Sequence, residues 1–109
     1  LIRSEYCRVI EGNNKLDFSK QTQPNVQYSN YFYTVLTDER DELASYLKEN
    51  DVYSTFRYFP LHKIELFRDF NTPELNGANL FSERALNIPI HHNLSDSNIE
   101  HISKLLQDY

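Results

Sequence analysis

The sequence predicts a small α+β domain, a three- or four-stranded sheet with its helices mostly on one face. Three observations carry the prediction. The run Tyr31–Thr37 is apolar or aromatic at nearly every position and reads as a strand covered on both faces. A charged amphipathic stretch follows it directly, and then a second β-type run, Val52–Phe56, gives a strand–helix–strand unit. The chain closes on a stripe of apolar residues behind a serine cap, and with 109 residues it has room for one modest core.

The elements follow in order. Ile2, Tyr6, Val9 and Ile10 recur at the spacing of one helical face, and Gly12 ends the run. Nothing before Leu1 caps this helix, so residues 1–12 read as the end of a truncated helix and residues 13–109 as the domain proper. The absence of methionine agrees with a piece cut from a longer chain, although N-terminal processing gives the same result. The polar connector Asn13–Gln27 holds one apolar alternation, Leu16 and Phe18, that suits a short edge strand. After Tyr31–Thr37, Thr37 or Asp38 serves as N-cap of a helix with acidic residues in its first turn. Leu43, Tyr46 and Leu47 form its apolar stripe, and Asn50 ends it.

The strand Val52–Phe56 then runs into Arg57-Tyr58-Phe59-Pro60-Leu61-His62. Pro60 lacks a backbone donor and stops the ladder, leaving a cation, two aromatics and an imidazole at the edge of a scaffold, where binding groups tend to sit. Ile64, Phe67 and Phe70 suit a short helical turn, and Asn71–Gly77 a surface loop. Leu80, Phe81, Ala85 and Leu86 predict a second, shorter helix, and Asn87-Ile88-Pro89-Ile90 a brief extended segment at an edge. Ser95 caps the last helix, with Leu94 and Ile99 placed as a hydrophobic staple and Ile99, Ile102, Leu105 and Leu106 as its buried face.

Charge and composition exclude several functions. The net charge of −5 argues against a nucleic-acid partner. No apolar run approaches the roughly 20 residues that cross a bilayer, so no membrane partner is expected. Cys7 is alone, which leaves no internal disulfide and no cysteine metal site and makes the cytoplasm the default location. His91 and His92 are neighbours on an extended segment and point to opposite faces, so no metal site is expected, and His101 needs no role beside the last helix's stripe. The only glycines are Gly12 and Gly77, which rules out a glycine-rich phosphate loop, and no nucleophile turn is present. The chain by itself carries no catalytic constellation.

The order of elements resembles a known family. Tyr31-Phe32-Tyr33-Thr34-Val35-Leu36, Asp38-Glu39-Arg40-Asp41-Glu42-Leu43, Ser54-Thr55-Phe56-Arg57-Tyr58-Phe59-Pro60-Leu61-His62 and Ser82-Glu83-Arg84-Ala85-Leu86-Asn87-Ile88-Pro89-Ile90-His91 are similar to the C-terminal domain of the DegT/DnrJ/StrS sugar aminotransferases. The resemblance implies the small C-terminal domain of a fold-type-I enzyme that uses pyridoxal 5'-phosphate and works as a cytoplasmic homodimer. Such an enzyme moves an amino group, usually from glutamate, to a nucleotide-linked ketosugar. It also implies that the Schiff-base lysine and most cofactor contacts belong to a large N-terminal domain, the expected partner, which leaves this fragment inactive alone. No catalytic or cofactor-binding role falls on Lys15, Lys20, Lys48, Lys63 or Lys104. By the same resemblance Arg57, Tyr58, Phe59 and His62 are substrate-binding, the guanidinium as a planar fork for carboxylate or phosphate and the aromatics as covers for sugar faces. Many relatives carry histidine rather than Tyr or Phe near these positions, so the sugar stays open.

The competing reading is a free-standing, ferredoxin-like module for a small ligand or RNA, with Tyr31, Tyr33, Tyr53 and Phe56 as stacking residues. The acidic charge weighs against RNA, and the uncapped first helix against a free-standing unit.

Overall fold

A computed structural model describes residues 2–18, 25–26, 29–67 and 74–109. Helix α1 (Ile2–Glu11) turns through Gly12 into the short strand β1 (Asp17–Phe18). Strand β2 (Tyr33–Leu36) leads to helix α2 (Arg40–Glu49), and two 3₁₀ turns, Leu61–Lys63 and Glu65–Phe67, follow. Helix α3 (Asn76–Arg84) passes straight into strand β3 (Ala85–Ile88), and helix α4 (Asp96–Asp108) closes the chain. The sheet is antiparallel in the order β1-β2-β3.

Register decides which residues are buried. Tyr33 faces Ile88 and Val35 faces Leu86, so these four share one side of the sheet, and all are in the core. Tyr6, Val9 and Ile10 of α1, Leu43 and Leu47 of α2, and Ile102, Leu105 and Leu106 of α4 complete that core, whereas α3 contributes no residue to it. The α+β class and the one-sided arrangement of the packed helices therefore agree with the sequence. On the opposite side Thr34 faces Asn87, and the Thr34 hydroxyl donates to Asn87 Oδ1 at 2.7 Å.

Several elements differ from expectation. Val52–Phe56 is not a full strand: among the described residues it makes one bridge, Thr55 with Asn87, through a reciprocal pair of backbone hydrogen bonds of 2.9 and 2.8 Å. The bridge is antiparallel to β3, which is antiparallel to β2, so β3 lies between the two ends of the strand–helix–strand unit. Ala85 and Leu86 belong to β3 rather than to a helix, because pairing with Leu36 and Val35 outweighs the local helical spacing. Gly77 sits inside the first turn of α3 and not in a loop, and Asn71 and Phe70 lie outside the described residues. The strand Tyr31–Thr37 is shorter at both ends, and its burial alternates instead of being complete. At α2 the cap position is Glu39, with the Thr37 hydroxyl accepting from the Glu39 N–H at 3.2 Å.

The remaining caps match. The Ser95 side chain accepts from the Asn98 N–H at 3.2 Å, and both staple residues, Leu94 and Ile99, pack on the core. Polar ties hold the periphery. His62 Nε2 and Asn79 Oδ1 are 2.8 Å apart, and Lys63 pairs with Glu83 at 3.7 Å, so α3 is fastened to the first 3₁₀ turn. Arg40 donates to the Ser82 carbonyl at 2.6 Å and lies over the Phe56 ring at 5.0 Å, joining α2 to the end of α3 and to the segment before Arg57.

Two predictions follow from this packing. Tyr6 is wholly buried and donates to the Pro89 carbonyl at 3.0 Å, and burial pushes its phenol from 10.0 up to about 12. The folded state keeps this proton after the unfolded chain has lost it, so the contribution is complete below pH 10 and is lost as pH rises toward 12. Denaturant titrations across that window should show falling stability, by roughly 2–3 kcal/mol at most from this group, and a shallower fall in Tyr6→Phe. Asn79→Leu should cost about 1 kcal/mol and release the imidazole, since an Asn oxygen can only accept. Imidazole nitrogen chemical shifts of His62 should then move away from an Nε2–H tautomer.

Candidate functional site

The segment after Thr55 leaves the sheet and carries its side chains outward. Tyr58 is 71% exposed and Phe59 56%, and Arg57 is exposed as well. The exposed large side chains are thus concentrated on the segment that follows the Thr55 bridge. Tyr31, Tyr53, Leu61, Leu66, Leu80 and Phe81 add to it.

Two clefts flank the segment. The first, of about 550 Å³, lies at the outer edge of the sheet. It is bounded by Tyr31 and Phe32 before β2, by Asp51, Val52, Tyr53, Thr55 and Arg57, by the end of β3 through His91, and by Asn98, His101 and Ile102 of α4. Its back wall is rigid: Val52 and Ile102 belong to the core, and His101 Nε2 is 2.9 Å from the Asn50 carbonyl, tying α4 to the end of α2. The second cleft, of about 500 Å³, lies on the α2 side and is lined by Arg40, Phe56, Phe59, Pro60 and Lys63 among others.

The four residues singled out by sequence therefore do not converge on one cavity. Arg57 lines the edge cleft, while Phe59 lines the cleft beside α2. Tyr58 stands on the surface next to Arg57, and His62 is half-buried and turned to Asn79 of α3. What the structure does join is Arg57 with two phenols. The Tyr58 and Tyr31 hydroxyls lie close enough to the guanidinium to raise its pKa, with Tyr58 the larger influence. Tyr31, which sequence reasoning placed only among stacking residues, thus belongs with Arg57. A phenol oxygen that accepts from a guanidinium keeps its own O–H to donate, so the cluster presents donors to a ligand.

Of the four aromatics in the stacking reading, Tyr33 is buried in the core at 1% exposure, so it presents no ring face to a base. Its ring meets Tyr6 edge-on at 5.4 Å and stacks on Phe18 at 6.2 Å, and its hydroxyl is 3.3 Å from Cys7 Sγ. Among the described residues no helix is long and apolar enough to cross a membrane.

Comparison with known proteins places this geometry. The sequence model of the DegT/DnrJ/EryC1/StrS aminotransferase family matches residues 4–107. The chain is 35% identical over 82 residues to a dTDP-4-dehydro-2,3,6-trideoxy-D-glucose 4-aminotransferase of Saccharopolyspora spinosa, covering 72% of this chain and 20% of that protein. The crystal structure of the aminotransferase TlmJ from Streptoalloteichus hindustanus superposes with a TM-score of 0.85 at 30% identity, over 98% of this chain and 30% of that one. DesV of S. venezuelae, solved in complex with a ketimine intermediate, shares the fold with a TM-score of 0.89 at 23% identity, over 98% of this chain and 29% of its own. The chain thus spans between a fifth and a third of the length of these relatives. It belongs to the DegT/DnrJ/EryC1/StrS aminotransferase family.

Proposed function

We propose that this chain is the C-terminal small domain of a pyridoxal-phosphate-dependent sugar aminotransferase, with residues 1–12 continuing an interdomain helix and residues 13–109 forming the lid. The whole enzyme transfers an amino group from glutamate to a nucleotide-linked ketosugar and acts as a cytoplasmic homodimer. The large domain holds the cofactor, which supplies the chemistry of amino-group transfer when bound. Family membership and the short span relative to TlmJ and DesV support this reading. So does the exposed apolar surface around Tyr58, Leu61, Leu66 and Leu80, which suits a docked neighbour.

The described residues of this chain do not themselves fit a Schiff-base site. Among them no lysine lines the edge cleft. Lys15 pairs with Glu39 at 3.5 Å and Lys63 with Glu83, Lys48 and Lys104 are exposed on α2 and α4, and Lys20 lies outside the described residues. No step through the cofactor is therefore assigned to these side chains. Their work is binding. The observation that carries this is Arg57, which lines the edge cleft together with Tyr31 and there offers a charge and a planar set of donors to substrate oxygens. Phe59 lines the separate cleft beside α2, and His62 reaches Asn79 of α3, so in this reading both serve the surface beyond the edge cleft.

The test is a visible absorption spectrum of the longer protein that carries this chain, before and after glutamate, with the 109-residue chain alongside. The longer protein should show a Schiff-base band that shifts with glutamate, and this chain should be colourless. A longer protein that stays colourless when pyridoxal phosphate is supplied sinks the reading. Within that enzyme, Arg57→Ala should raise a substrate KM about 10- to 100-fold, as expected for one lost charged hydrogen bond, with a smaller change in kcat.

A further inference from the structure

Strand β3 reads Ala-Leu-Asn-Ile, and its one polar side chain is the least expected residue of the sheet. Asn87 is 5% exposed. Its backbone N–H and carbonyl are both spent on Thr55, and its Oδ1 accepts from the Thr34 hydroxyl at 2.7 Å. Thr34, Asn87 and Thr55 thus form one polar row across the sheet, on the side away from Val35 and Leu86. With Oδ1 engaged, the amide's two N–H donors remain, and among the described residues nothing accepts from them. The amide nitrogen is not sealed inside the sheet, so these donors are open to the cleft that Asn87 lines.

Asn87 also lines the edge cleft that Arg57 lines. The cleft is rich in donors: the Arg57 guanidinium, the hydroxyls of Tyr31 and Tyr53, and the Asn87 amide. Among the described residues its one carboxylate, Asp51, sits just after α2 with its backbone N–H on the Lys48 carbonyl. A concave site with a cation at the rim and a fixed amide donor inside selects a ligand rich in acceptors and negative in charge.

We propose that Asn87, its amide oriented by Thr34, is an oxyanion-binding residue inside the edge cleft and acts with Arg57 on a carboxylate or phosphate group of the ligand. The inference rests on the reading that this edge of the domain meets substrate, and it names the group recognised there and a residue that recognises it. Asn87 binds and orients; it takes part in no bond-making step.

The test is a titration of the nitrogen-15-labelled chain with L-glutamate and, separately, with thymidine diphosphate, following the side-chain amide signals of Asn87 and the guanidinium signal of Arg57. Saturable movement of the Asn87 amide with glutamate assigns a carboxylate, and movement with the diphosphate assigns a phosphate. Asn87→Asp is isosteric and can still accept from Thr34, but it replaces the donor with a negative acceptor. It should weaken binding at least about ten-fold, the scale of one hydrogen bond to a charged group. Asn87→Ser, smaller and neutral, should weaken it by a similar factor, and Thr34→Val, which frees the amide to turn, by a few-fold. Binding by Asn87→Asp as tight as that of the unaltered chain overturns the proposal, as does an Asn87 amide that moves with neither probe. If Arg57 and Tyr58 respond while Asn87 does not, the role of Asn87 fails and the strand-end segment keeps its place in substrate binding. The cofactor spectrum of the longer protein is decided independently of either result.

Discussion

The pairing of β2 with β3 is the constraint from which the rest of the structure follows, because side chains alternate along a strand and one register assigns every residue to a face. With Val35 opposite Leu86 and Tyr33 opposite Ile88, the apolar set turns toward α1, α2 and α4. The same register sets Thr34 opposite Asn87 and turns both away from that core. A slip of one residue would bury Asn87 among leucines and expose Tyr33, so core formation and placement of the polar row are one event. Thr55 then docks on the free edge of β3 through a single bridge, and the segment from Phe56 to His62 departs from that attachment.

The two halves of the domain are held by different forces. The packed half is a continuous apolar cluster, with Tyr6, Leu43, Leu47 and Leu106 completely or almost completely out of water. The peripheral half, residues 55–67 and 74–84, has few buried side chains and is positioned by discrete polar ties: Arg40 to the Ser82 carbonyl, His62 to Asn79, and Lys63 to Glu83. Exposed ion pairs such as Lys63–Glu83 contribute little to stability on their own. Their value here is geometric, since they fix where an otherwise loosely packed segment points. Function-bearing side chains can therefore change in this half while the core retains its contacts.

Periodicity made α1, α2 and α4 readable, since each has an apolar face backed by the three-helix core, and the Ser95 cap is a purely local signal. The edge strand at Leu16–Phe18 was readable for the same reason. The boundary between α3 and β3 was not. Leu80, Phe81, Ala85 and Leu86 keep helical spacing, and only pairing with β2, far away in sequence, turns Ala85 and Leu86 into a strand. The site shows the same division. Arg57 beside a cleft was legible from a strand that ends in a cation and aromatics. Adjacency in sequence, however, overstated convergence, because Arg57 and Phe59 go to different clefts and His62 goes to α3. Asn87 escaped notice because no local pattern says which neighbour orients an amide; the one available signal was a polar residue within an apolar strand.

Arg57 is exposed, and an exposed guanidinium samples many positions, which costs a ligand entropy when it is gripped. Two phenols stand near it: Tyr58 is its neighbour in sequence, and Tyr31 comes from the lead-in to β2, so groups from two separate stretches of backbone act on the cation. Tyr31 in turn meets Phe32 edge-to-face at 5.8 Å, which anchors its ring near the cleft wall. The order of dependence runs from the β2–β3 register, through the single Thr55 bridge and the Tyr31 lead-in, to a pre-positioned charge. A charge placed this way suits the positioning of negative groups rather than the making or breaking of bonds.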